Sequence, residues 1–199
     1  MTATQSSQLL ASLFAPFESD ERLTVLHIGS AVPETVEFFS RYRSKLFFVD
    51  IFSELPIQWD EESDLSLVQQ FAEILSLPDD TQVDICLFWD VFNYLDSDSV
   101  AAFLSVLRPH LHSKTLAHGF GVYNLKNGQS GQYYGIESTD AIRARTRAAM
   151  LPGYAPHPQS KLKNLLDCFN FDRSVLLSDS RLEILLSTKA QSIGKSRIL

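Results

Sequence analysis

Two aspartates stand where a cleft at the ends of strands would present them. Asp50 lies near the carboxyl end of the apolar run 45–51 (KLFFVDI), and Asp90 directly follows the run 83–89 (VDICLFW). In open α/β sheets, ligand groups gather outside the carboxyl ends of the strands. An ionised carboxylate there only accepts hydrogen bonds. Asp50 therefore reads as an acceptor toward a ligand or as a solvated strand end. Asp90 reads as a general base on an acceptor, or as a cap on the loop that follows. Trp89 could stack on a planar ligand or simply pack. Gly29 ends a third apolar run, 23–28, and marks a tight turn.

Other reactive side chains form no pattern of comparable strength. Arg143, Arg145 and Arg147 could clamp an anionic substrate or partner, or line a solvated helix face. His110 and His112 fall near a helix end, are read as solvent-facing, and lack a third ligand, so no metal is expected. His118 sits within a strand and is read as a satisfied buried residue. Cys86 and Cys168 give no disulfide framework and read as buried thiols in a reducing compartment, which points to the cytoplasm. No Ser-His-Asp or Cys-His arrangement can be argued from sequence order. The net charge of −7 would repel a phosphate backbone, so no nucleic-acid partner is expected. The polar start and the lack of any apolar stretch of about 18 residues argue against export and membrane spanning.

These residues need elements to position them. With 199 residues, 45% hydrophobic and 21% charged, the chain has an ordinary globular mixture and can bury one substantial core. Leu9, Leu10, Leu13, Phe14 and Phe17 share helical spacing, so residues 1–22 are read as an amino-terminal helix segment. Residues 23–28 form a first strand. Pro33 and Glu34 open a helix with Val36, Phe39 and Tyr42 on its inner face, and 45–51 is the second strand. This is a βαβ unit. Residues 65–75 fit a helix, although 71–75 could be a short strand. The run 83–89 is the strongest strand signal, followed by a helix from Ser97 to Leu107 and a strand over 115–122. Residues 123–160 carry four glycines, three arginines and three prolines and are read as a lid or substrate loop. An amphipathic helix over 161–169 precedes two strands, 172–177 and 181–188, around a tight turn. The last residues, 190–199, read as a tail.

This order of elements resembles the class I S-adenosylmethionine-dependent methyltransferase family over roughly residues 20–189. The clearest stretch is LSLPDDTQVDICLFWDVFNYLDSDSVAAFLSVLRPHL at 75–111. The resemblance implies an α/β fold, a Rossmann-like three-layer sandwich whose mostly parallel sheet ends in a C-terminal antiparallel hairpin. It implies S-adenosylmethionine as cofactor, bound around Gly29, Asp50, Glu73 and Trp89. Asp50 would accept from both ribose hydroxyls, and Glu73, four residues before Leu77, from the adenine amino group. Residues 87–90 would line the floor near the transferred methyl, with Asp90 as the catalytic residue.

The family's glycine loop departs from that pattern. It corresponds here to His27, Ile28, Gly29, Ser30, Ala31, Val32 and Pro33, so one glycine of three remains and the preceding acidic residue is His27. Ala31 and Pro33 restrict the backbone approach that glycine permits. A nicotinamide-binding loop fits less well, because Glu34 would put a carboxylate beside a pyrophosphate. Domains of the family that lose this loop survive as noncatalytic subunits. The expectation is thus a methyltransferase-like pseudoenzyme that binds a protein partner or a small-molecule ligand in the old cofactor cleft, with self-association as a homodimer open. The alternative is an active methyltransferase on an acceptor the sequence does not name. A third reading makes the exposed loop 123–160 the functional surface.

Overall fold

A computed structural model describes residues 2–18, 20–58, 65–126 and 128–189. Its frame is a six-stranded sheet of order β3-β2-β4-β5-β9-β8, built from β2 (Arg22–Ile28), β3 (Arg43–Val49), β4 (Val83–Trp89), β5 (Leu111–Val122), β8 (Phe169–Leu176) and β9 (Arg181–Thr188). The pairs β2–β3, β2–β4 and β4–β5 are parallel, and β9 runs against both its neighbours, so β8 is again parallel to β5. The expected fold class holds: an α/β sandwich, mostly parallel, closed by an antiparallel hairpin.

Why β4 sits at the centre follows from its side chains. It is apolar on both faces, as a strand covered on both sides must be. Cys86 and Phe88 enter one core, with Phe71 of α3 (Leu67–Leu75), Phe103 of α4 (Ser97–Leu107) and Leu162 of α5 (Gln159–Leu165). Ile85, Leu87 and Trp89 enter the other, with Leu10 of α1 (Leu10–Phe14) and Phe38 of α2 (Pro33–Phe39). Ser66 and Gln69 form a reciprocal capping box at the start of α3, which decides for helix over strand at 71–75. Asp96 accepts from the Ser99 N–H at 2.8 Å and starts α4.

Several expected details differ. The polar start forms β1 (Thr2–Ser6), and only 10–14 is α-helical, because the backbone of β1 finds a ladder partner in a distant strand. In α2 the buried residues are Thr35, Phe38 and Phe39, while Val36 is 48% exposed. His110 is buried, not solvent-facing, with its Nδ1 2.9 Å from the Thr81 carbonyl oxygen. The tail at 190–199 lies outside the described residues.

The largest difference is in 123–160. Here β6 (Gln132–Ser138) and β7 (Ala141–Thr146) form an antiparallel hairpin, and β1 adds to it in the order β1-β7-β6. Tyr134, Ile136, Ile142 and Ala144 are buried in the same core as α1 and α2. Burying side chains of this size stabilises by about 1.5–3 kcal/mol each for the larger ones, enough to make the segment part of the fold. Arg143 and Arg145 accordingly lie on a strand, not a helix, and pair with Glu137 and Glu34.

Candidate functional site

The carboxyl ends of β2, β3 and β4 bring Gly29, Asp50 and Asp90 to one edge of the sheet. Gly29 has φ +133°, a conformation that side-chain-bearing residues rarely adopt, and its N–H donates to the Val49 carbonyl at 2.7 Å. Half-buried Asp50 accepts from the Ser30 hydroxyl through Oδ2, whereas its buried Oδ1 has no hydrogen-bond partner among the described residues. Asp50 and Glu73 line one cavity of 540 Å³, together with Ser53, Glu54, Ile57 and Gln70. Glu73 is itself exposed.

A compact aromatic and cationic cluster packs beside Gly29. Phe52, 4% exposed, belongs to a single 3-10 turn after Asp50, and its Cε2 would lie 3.8 Å from a Cβ on Gly29. The ring meets Tyr94 edge-on at 5.8 Å. On it lies the Arg147 guanidinium, 4.4 Å from the Phe52 centroid and 5.6 Å from that of Tyr133. Arg147 Nε donates to the Gln132 carbonyl at 3.0 Å, and its backbone N–H to the Gly131 carbonyl at 2.7 Å. Such a stacked cation contributes about 0.5–2 kcal/mol.

The hairpin also packs against one side of the altered loop. A Cβ on Gly135 would come within 2.7 Å of Val32 Cγ2, so β6 approaches the loop through its glycine. The Ile136 N–H donates to Thr35 Oγ1 at 3.1 Å, and Arg145 pairs with Glu34 on the same side. Ala31, Val32 and Pro33 face Tyr133, Arg145 and Arg147 across a groove.

Trp89 and Asp90 have different surroundings. Trp89 adopts φ +51°, an unusual backbone for a large residue, and is buried between Tyr134 and His27. Its indole N–H donates to His27 Nε2 at 3.2 Å. Burial lowers the His27 pKa to about 3, which keeps the ring neutral and able to accept. Asp90, 2% exposed, accepts from the Ser130 hydroxyl at 2.9 Å through Oδ2. Burial lifts its carboxyl to about 6, against the opposing pull of Ser130, Arg147 and Arg181. Asp90 lines a different, smaller cavity from Asp50, and neither cavity is lined by Gly29 or Trp89.

The comparisons with known proteins bear on this geometry. The sequence matches no protein-family model and no curated protein. Solved structures do match. Over 92% of this chain and 78% of its own, 1,6-didemethyltoxoflavin-N1-methyltransferase of Burkholderia thailandensis superposes at TM-score 0.50 and 12% identity. The mitomycin 7-O-methyltransferase MmcR superposes at 0.51 and 13% over 90% of this chain. The fold is that of the class I S-adenosylmethionine-dependent methyltransferases.

This chain spans 53% of the length of the mitomycin enzyme. The Burkholderia structure holds 1,6-didemethyltoxoflavin and S-adenosylhomocysteine. Within the methyltransferase fold, sequence reasoning brought Asp50 and Glu73 to one cavity and marked Tyr134 as shaping or filling a lid, where it is buried, but did not find Phe52, Ser130, Asp179 or Arg181. Arg147 was visible only as part of an arginine cluster. Among the described residues no group of His, Cys, Asp and Glu could hold a metal ion, and no helix is long and apolar enough to cross a membrane.

Proposed function

We propose that this methyltransferase-like protein binds a nucleoside-type small ligand at Asp50 and does not transfer methyl groups. The observation that carries the reading is the Phe52–Arg147 stack, which packs beside Gly29 and sets a fixed positive charge that acts on Asp90. A residue set fit for S-adenosylmethionine needs room at both ends. The ribose end fits, because the buried Asp50 Oδ1 wants a donor and a vicinal diol supplies one. The methionine end fits less well: a groove of 440 Å³ remains beside residues 30–33, but Gly135 of β6 crosses close to Val32, and the fixed positive charge of Arg147 in the groove wall would repel a sulfonium. No methyl-transfer step is therefore derived. The second reading, an active methyltransferase, draws on the same unpartnered Oδ1 and on Asp90.

Calorimetric titration with adenosine, S-adenosylhomocysteine and S-adenosylmethionine separates the two. Adenosine is expected to bind and to raise the melting temperature. The two larger ligands are expected to gain less than about threefold over it, well under 1 kcal/mol. Asp50→Ala abolishes binding of all three. Tenfold tighter binding of S-adenosylmethionine than of adenosine would overturn the reading in favour of the active enzyme.

A further inference from the structure

Asp90 lines a half-open cavity of 180 Å³ with Asn93, Val122, Ser130, Tyr154, Asp179 and Arg181. The carboxylate is buried and only half used: Ser130 donates to Oδ2, and Oδ1 has no partner among the described residues. We propose that this cavity binds a small organic cation of the amidine class, whose N–H groups donate to Asp90 Oδ1.

The choice of a cation follows from which lining groups are already committed. Arg181 is the cationic lining residue, and its guanidinium is engaged on all three nitrogens: Nη1 on the Tyr134 hydroxyl at 3.0 Å, Nη2 on Gln5 at 2.6 Å, and Nε on Asp179 at 2.8 Å. Asp179 is ion-paired with Arg181, which leaves Asp90 as the lining carboxylate with an unpartnered oxygen. A donor-bearing cation supplies what Oδ1 lacks and pairs with the Asp90 charge, whereas an anionic ligand would be repelled by it. An unmade bond to a buried charged acceptor is expensive, so the same group that costs the free protein stability favours the complex. Planarity suits the Tyr154 wall. The mouth lies at Gly128, where a Cβ would meet nothing within 4 Å. Trp89 in its left-handed backbone conformation sits immediately before Asp90, and a strained residue beside an under-bonded acid is where binding sites concentrate.

This site shares no lining residue with the nucleoside cavity, and the inference does not depend on the first reading. Benzamidine, benzamide and benzoate share one ring and differ in charge, so titrating the whole protein with each isolates the charge requirement. Benzamidine is expected to bind saturably, at least tenfold tighter than benzamide, with no binding of benzoate. Asp90→Asn and, independently, the cavity-filling Val122→Phe each remove benzamidine binding, while Asp50→Ala leaves it within twofold. Failure of benzamidine to bind, equal binding of the three probes, preference for benzoate, or unchanged benzamidine binding in both variants overturns the proposal. Because Asp50→Ala acts on the nucleoside cavity alone, the two readings fail separately.

Discussion

Asp90 and His27 pull stability in opposite directions as pH changes. The Asp90 carboxyl is raised to about 6 by burial, so the folded state binds its proton more tightly than the unfolded chain does. Its contribution is favourable below the unfolded value and is lost as pH rises from about 4 to 6. A shift of that size amounts to roughly 3 kcal/mol at neutral pH, part of which the ligand site proposed above would recover. Asp90→Asn should therefore stabilise the free protein at pH 7 by about 1–3 kcal/mol, a gain that fades toward pH 4. Urea melts of both proteins at pH 4, 5.5 and 7 measure it; an equal difference at all three values would show that the carboxyl is not the source. His27, lowered to about 3 by burial, has the reverse sign. Its neutral form stabilises above pH 6.5, and that contribution drains away as pH falls toward 3, so both proteins weaken in acid.

The hairpin β6–β7 decides whether the cleft is open. At Gly135 any side chain strikes Val32, so Gly135→Ala forces the hairpin off the 30–33 loop. Overpacking of this kind costs about 1–3 kcal/mol. Val32→Ala removes the obstructing methyls, and the double variant should recover most of that loss in a thermal-melt cycle. Simple additivity of the two changes would instead mean that β6 does not press on the loop. The element was hard to read from sequence for a physical reason. Gln132–Ser138 (QYYGIES) spends its period-two signal on a glycine and tyrosines, and the alternation of Ile142 and Ala144 with Arg143 and Arg145 in β7 spans too few residues to oppose a loop-like composition. β1 (TATQS) has no apolar residue larger than alanine, and its place is set by its ladder to β7 and by polar contacts such as Arg181 on Gln5, none of which its sequence announces. By contrast β4 was legible because burial on both faces leaves a continuous apolar run. Asp50 and Asp90 were legible for the same reason, since strand ends locate them. Phe52 carries no such mark: its role comes from where Arg147, 95 positions later in the chain, lays its guanidinium.

At the scale of the whole molecule, the Asp90 cavity spans the two sheets, with Gln132 of β6 on one side and Val122 of β5 and Arg181 of β9 on the other, and one buried acid ties them. Glu183 of β9 accepts from the Ser7 hydroxyl, from the Gln8 N–H at 2.8 Å and from His118 Nε2 at 2.8 Å, and its side chain is fully buried. Desolvation alone would raise its carboxyl, yet the hydrogen bonds from His118, Ser7 and Gln8 bring it below the ordinary value. The six-stranded sheet thus grips the end of β1, and through β1 the whole hairpin. Glu183→Gln keeps the shape but replaces an acceptor oxygen by an NH₂ group facing donors. A loss of about 2–4 kcal/mol is expected, a large fraction of a typical 5–15 kcal/mol total. The loss should be uneven. Hydrogen exchange should quicken first at the amides of β1 and β7, before those of β4 and β5, because the broken tie holds the small sheet to the large one. If β4 and β5 lose protection together with β1 and β7, Glu183 is a general core residue, and the small sheet has no separate freedom to open the cleft.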